Sequence, residues 1–224
     1  MYVCASSAPA THRSRTSLTF ALVATAVAIC TVVYLLRIPI LRELGSALVH
    51  SDPLASADVI VITLDSGGAG ALEAADLVRQ GLASKVAVFA DLPSVEAAEF
   101  LHRGLVYEDR ADRQSRQLAL LGVINVLRIP AAVTGTTDET DLIPAWCRDS
   151  GFKSVIVVTT TDHSRRTHRA LARSMPGTLT RFSVRPSRYS TFDPERWWHS
   201  RSGTRLGIVE LQKLALDFAT HPLN

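Results

Sequence analysis

The stretch from Ser17 to Leu36 carries no charged residue, and it limits what this chain can become more than any other segment. As a helix rising about 1.5 Å per residue, it would be roughly 30 Å long, the thickness of a bilayer's hydrocarbon core. A cleaved signal peptide needs a shorter apolar core followed by a small-residue cleavage site. Here Arg37, Ile38, Pro39, Ile40 and Leu41 follow instead. Cys30 does not sit in a lipoprotein site, because Ile29 precedes it where a small residue is required. The segment therefore reads as an uncleaved, single-pass membrane anchor.

Flanking charge gives the anchor a direction. His12, Arg13 and Arg15 precede it without an acid, whereas Arg37 and Arg42 follow it beside Glu43. Lys and Arg resist translocation, so this slight bias favours the N-terminus inside and the soluble part outside. A length of 224 residues suits one domain with an appendage. The expected organisation is a cytoplasmic tail over 1–16, the anchor over 17–36, a linker over 37–54 and a domain over 55–220.

The sequence pI of about 9.0 invites a nucleic-acid partner, but the charge distribution removes that class. Residues 1–49 hold four Arg and one Glu, and the remainder balances 20 basic against 20 acidic residues. Within that neutral domain, 52–162 is acidic, whereas 163–205 holds 10 Arg against Asp193 and Glu195. A concave surface built from the latter segment would attract phosphate or another anion; solvated helix arginines are the plainer reading. Cys147 is the lone cysteine beyond the anchor, so no intradomain disulfide can form.

From Asp58 onward, short β-branched runs alternate with helical patterns, the form of a doubly wound α/β sheet with parallel strands buried on both faces. Strands are expected at 59–64, 86–90, 123–129, 154–159 and 179–184. Helices are expected at 65–80, 94–102, 111–121, 138–150, 163–174 and 203–219. Pro144 suggests that the fourth of these helices starts near Leu142.

Ligands of open α/β sheets collect beyond the carboxyl ends of strands. Three such ends stand out: Asp65 to Gly70, Thr134 to Asp141 and Thr159 to Arg169. Gly67 and Gly68 in the first allow close backbone approach to a ligand and equally allow a plain turn. In the third, Thr160 supplies a hydroxyl, and His163 and Arg166 share a helix face suited to a phosphoryl group, with His163 placed for proton transfer. The competing reading makes Thr161 or Asp162 an N-cap. Thr137 and Glu139 in the second offer a hydroxyl and a carboxylate, or ordinary capping chemistry. Trp197 and Trp198 beside His199 would wall the pocket or simply pack. Glu210, Lys213 and Asp217 have the spacing of a salt-bridged helix face. No local His and Cys spacing suggests a metal, and no nucleophile elbow suggests a serine hydrolase.

The run Asp58 to Gly68, the segment Ala75 to Ala83, the cluster Thr136 to Glu139, the strand and helix start Val157 to Arg166, and the closing Glu210 to Leu214 together resemble the YdcF, SanA and ElyC family of bacterial envelope proteins. The resemblance covers roughly residues 55–219. It implies a Rossmann-like three-layer fold, often behind a membrane anchor, and a role in envelope or cell-wall biogenesis at the cytoplasmic (inner) membrane. It carries over His163, Arg166, Gly67, Gly68, Thr137 and Glu139 as site positions. Asp65 and Thr160 complete the candidate ligand contacts, with His163 and Glu139 as candidate catalytic groups. The implied ligands are a phosphorylated small molecule, a lipid-linked envelope precursor, or S-adenosylmethionine or another nucleotide. A noncatalytic scaffolding module and a phosphatase-like hydrolase remain the alternatives.

Overall fold

The computed structural model describes residues 13–90, 94–130, 135–175, 177 and 179–222. The expected cytoplasmic tail thus lies outside the described residues up to position 12, as do Thr134 and residues 91–93. Two compact units divide between residues 41 and 42.

The first helix, α1, spans Arg13–Ser46. Its Leu18–Ser46 portion is long and apolar enough to cross a membrane, and its most apolar 18-residue stretch is exposed. The helix runs on through Pro39 to Ser46, into the stretch expected as a linker over 37–54. Proline removes one ladder hydrogen bond, a loss that membrane-type helices tolerate when nearby groups compensate. Arg37 lies close by, donating from Nη1 to Tyr34 O at 2.6 Å with its guanidinium 3.7 Å from the Tyr34 ring centre.

The second unit is built on a five-stranded parallel sheet in the order β3-β2-β1-β4-β5. The strands are β1 Val59–Ile62, β2 Val86–Phe89, β3 Val126–Ile129, β4 Ser154–Thr159 and β5 Arg181–Pro186. Helix α2 (Gly67–Arg79) joins β1 to β2, α3 (Val95–His102) and α4 (Arg110–Leu120) join β2 to β3, α5 (Thr136–Asp149) joins β3 to β4, and α6 (Ser164–Ser174) joins β4 to β5. A long α7 (Arg201–Thr220) closes the chain.

Strand alternation divides the core in two. Ile60, Ile62, Val88, Ile156 and Val158 meet Ala74, Leu77, Ala111 and Leu118 of α2 and α4. Val59, Val61, Phe89, Val155 and Val157 meet Ile143, Cys147 and Leu171 of α5 and α6. Burial on both faces explains why these strands read as unbroken apolar runs. The result is the expected Rossmann-like three-layer α/β fold.

Several boundaries differ from the sequence reading; β1, for example, ends at Ile62, before the turn at Leu64–Ser66. Strand β5 sits two residues later than expected, since Leu179 is 95% exposed while Val184 pairs with Val157. Strand β3 begins only at Val126 and is half-exposed, as an edge strand can be. Helix α5 starts at Thr136, not near Leu142, with Pro144 buried in its interior.

The chain leaves β1 toward β2 on one side and returns to β4 on the other. The carboxyl ends of β1 and β4 therefore flank the point where strand order reverses, the place where an open α/β sheet leaves a crevice.

Candidate functional site

Beyond β1 the chain makes a short 3-10 turn, Leu64–Ser66, and α2 begins at Gly67 in the left-handed region (φ +47°). The turn carries Asp65 across to the end of β4. Its Oδ2 accepts from Thr159 Oγ1 at 3.1 Å, from Thr160 N at 3.1 Å and from Thr160 Oγ1 at 2.7 Å. The same oxygen lies 3.1 Å from His163 Nδ1. The Nδ1–H is not aimed along that line, so the contact is an ion pair rather than an aligned hydrogen bond.

The other imidazole nitrogen meets the end of the chain. His163 Nε2 is 3.0 Å from Glu210 Oε1 on α7 and 3.7 Å from Asp162 Oδ2. Glu210 is 2% exposed, and it also accepts from Arg166 Nε at 3.1 Å and from Lys213 Nζ at 2.6 Å. Burial alone would favour a neutral imidazole; the carboxylates of Asp65 and Glu210 override it and push His163 up to about 10. Burial likewise opposes the charged Glu210, but His163 and Lys213 hold its carboxyl down at about 2. The Asp65 carboxyl is held well below its ordinary range against the same desolvation.

Glu139 behaves differently. It projects from the first turn of α5, is 1% exposed, and accepts from Leu64 N at 2.5 Å. Desolvation dominates here, and with Asp65 nearby it raises the carboxyl to about 7 despite that hydrogen bond. Two acids on one cleft thus have opposite protonation behaviour.

The cleft has a volume of about 600 Å³, and Leu64, Asp65, Glu139, His163, Arg166 and Lys213 contribute to its walls along with Arg110 and residues 135–138. Gly135 caps α5 without a side chain to accept from the first-turn N–H groups. Such a helix start is suited to an anion. Thr136, Thr137, Arg166 and Lys213 also line an adjoining groove of about 260 Å³ that runs along α6 and α7.

No family model matches the chain, and no curated protein matches it. Among solved structures, HcgE from Methanothermobacter marburgensis, bound to guanylylpyridinol and ATP, is similar over 74% of this chain and 97% of that chain, with 12% identity and a TM-score of 0.33.

The structure brings together Asp65, Thr137, Glu139, Thr160, His163 and Arg166, with Thr160 reaching the site through Asp65. It does not bring in the glycines. Gly67 O accepts from Gln114 Nε2, and Gly68 lines a separate apolar groove with Leu72 and Leu120. Neither Trp197 nor Trp198 lines the cleft. Trp197 instead packs closely on Gly45, Gly203 and Gly207. The competing reading, capping by Thr161 or Asp162, is not seen, since His163 occupies the N-cap position of α6 without a side-chain capping bond.

The arginine-rich segment turns out to be largely matched by internal acids. Arg169 and Arg173 pair with Asp217, Arg185 with Glu73, and Arg188 with Glu73 and Asp76. Glu210 and Lys213 are site residues that sequence reasoning missed. Their i,i+3 spacing correctly indicated a helix pair, yet only the fold turns that pair toward His163. Arg110 was missed as well, and no local pattern distinguishes it from the other arginines of α4.

Proposed function

We propose that the chain is a membrane-anchored envelope factor whose cleft binds a phosphorylated or nucleotide-like ligand, in the manner implied by its resemblance to the YdcF, SanA and ElyC family. The reading rests above all on one observation: the Gly135-capped start of α5 shares a cleft with Arg166 and Lys213 at the strand-order reversal. The adjoining groove adds room for a longer molecule, such as a nucleotide or a lipid-linked diphosphate. The anchor is read as α1, with the domain on the outer face of the cytoplasmic membrane, following the charge bias around the span.

In this reading the site residues divide their work. His163, protonated at neutral pH by its two carboxylates, is a fixed cation beside Arg166 and has no lone pair to act as a general base. Proton transfer falls to Glu139, whose raised carboxyl lies near neutrality, where an acid or base works best. Thr137 and the α5 backbone supply hydrogen bonds, and Asp65 with Thr160 holds the imidazole. A hydrolytic activity, if the ligand is a phosphoester, would thus depend on Glu139 more than on His163.

The test is a thermal-shift panel of nucleotides, S-adenosylmethionine and polyprenyl phosphates on the full chain in detergent. A ligand at 100 times its Kd should stabilise the wild type by about 2.7 kcal/mol. Arg166→Ala and Lys213→Ala should lose that shift while keeping the fold, by circular dichroism. If nothing in the panel stabilises the wild type, or if both variants respond as it does, the proposal fails.

A further inference from the structure

Away from the cleft, three side chains remote in sequence converge on one point. His50 and Asp52 lie in the segment between α1 and β1, and His168 lies on α6. Asp52 Oδ1 is 2.9 Å from His50 Nε2 and 3.7 Å from His168 Nε2. The ligand-type atoms of all three lie within 4.8 Å of one another. The imidazole ring centres are 3.8 Å apart, with planes at 35°.

Asp52 and the backbone at His50 are held in place by other groups, and the His168 ring packs 5.5 Å from that of Phe182. Asp52 N donates to Val184 O at 3.1 Å and Asp52 Oδ2 accepts from Val184 N at 2.8 Å, which leaves Oδ1 for the two imidazoles. His50 N donates to Ser164 Oγ at 2.8 Å, and Arg165 binds Leu48 O and Val49 O through its backbone N and Nη2. A carboxylate with one oxygen fixed and the other turned to two imidazole nitrogens has the supporting hydrogen bonds that orient metal ligands. All three side chains are between one-fifth and one-third exposed, so solvent can reach the remaining coordination positions.

We propose that His50, Asp52 and His168 bind a divalent late first-row transition metal of the zinc class, with water completing its coordination. Tetrahedral zinc takes imidazole nitrogen at about 2.0–2.1 Å and carboxylate oxygen at about 2.0–2.2 Å, which places ligand atoms about 3.3 Å apart. The two recorded separations bracket that value. Two nitrogen donors select zinc-like ions over calcium and magnesium, which favour oxygen.

Two arginines of α6 are engaged elsewhere, Arg165 with Leu48 O and Val49 O through its backbone N and Nη2. Arg169 is closed by Asp217 at 2.5 Å. Bound by the three side chains, the ion would tie the segment before β1 to α6, the helix whose first turns carry His163 and Arg166.

The experiment uses tag-free full chain in detergent, stripped with chelator, reloaded with Zn²⁺ and desalted. Elemental analysis should find one zinc per chain in wild type and in His221→Ala, an exposed histidine away from the cluster. His168→Ala and Asp52→Asn should each weaken zinc binding by more than about tenfold. Cobalt(II) in the wild type should give visible bands of a tetrahedral nitrogen and oxygen site, a readout independent of how the variants fold. Absence of stoichiometric zinc in wild type, equal retention in all four proteins, or a purely octahedral cobalt spectrum overturns the assignment.

Discussion

His163 Nε2 lies 3.0 Å from Glu210 Oε1, and this contact sets the charge of the cleft. Asp65 stands 3.1 Å from the other nitrogen, so the ring is bracketed by acids and holds both protons. In the proposed reading, a histidine that looks like an acid–base catalyst in the linear sequence serves instead as a fixed cation.

The coupling predicts a stability window. His163 is raised from 6.5 to about 10, so its contribution is complete below pH 6.5 and is lost as pH rises through 10. Glu210 is lowered from 4.5 to about 2, so its contribution is complete above pH 4.5 and is lost as pH falls through 2. The pair therefore stabilises most between pH 4.5 and 6.5. Glu210→Ala should cost about 3–5 kcal/mol, since it strands buried cations. In Glu210→Gln the His163 resonance, followed by NMR, should titrate nearer 6.5; an ordinary titration already in the wild type would contradict the contact.

Glu139 should show the opposite dependence for an acid. Its carboxyl is raised from 4.5 to about 7, so its contribution is present below pH 4.5 and is lost as pH rises through 7, where it must ionise in a dry environment. Glu139→Gln cannot ionise. The stability difference between wild type and Glu139→Gln, from urea melts, should shift against the wild type across pH 4.5 to 7. A constant difference would mean that Glu139 is solvated.

The glycine turn should prove to be a packing device. A Cβ on Gly70 would stand 2.6 Å from Ile62 Cγ2 and closer still to Ser66 Oγ, so Gly70→Ala overpacks the α2 contact with β1. A loss of about 1–3 kcal/mol is expected. Gly67→Ala meets no neighbour but must hold φ +47°, at a cost of about 1–2 kcal/mol. Neither glycine lines the cleft, so ligand affinity should be unchanged in both; a specific loss of binding in Gly67→Ala would restore the loop as a ligand contact.

Sidedness needs an introduced thiol. Cys147 is fully buried, and desolvation raises its thiol to about 12, so it should resist impermeant maleimide in the native chain. Val106→Cys, at a position 99% exposed, in a background lacking Cys4 and Cys30, should be labelled in intact cells. Labelling only after lysis would reverse the proposed orientation.

Much of the fold was legible because its signals are local. The runs at 59–62 and 154–159 are apolar on both faces, which only a covered parallel sheet uses. The end of the apolar helix was harder to read, since Pro39 and Arg37 resemble a break, while the helix continues through both to Ser46. Strand β5 slid because its edge position removes the burial that would otherwise mark its limits.

The sequence by itself determined the apolar span, the alternating α/β order, and the strand end where His163 and Arg166 sit together, because each depends on neighbours within a few residues. Tertiary structure alone decided what those residues mean. Glu210 reaches His163 from α7, Glu139 is dried by packing beneath Leu64, and Asp52 meets His168 from the far side of the chain. Protonation and coordination depend on desolvation and on charges a few ångströms away, and folding sets both by bringing together residues that the sequence keeps apart.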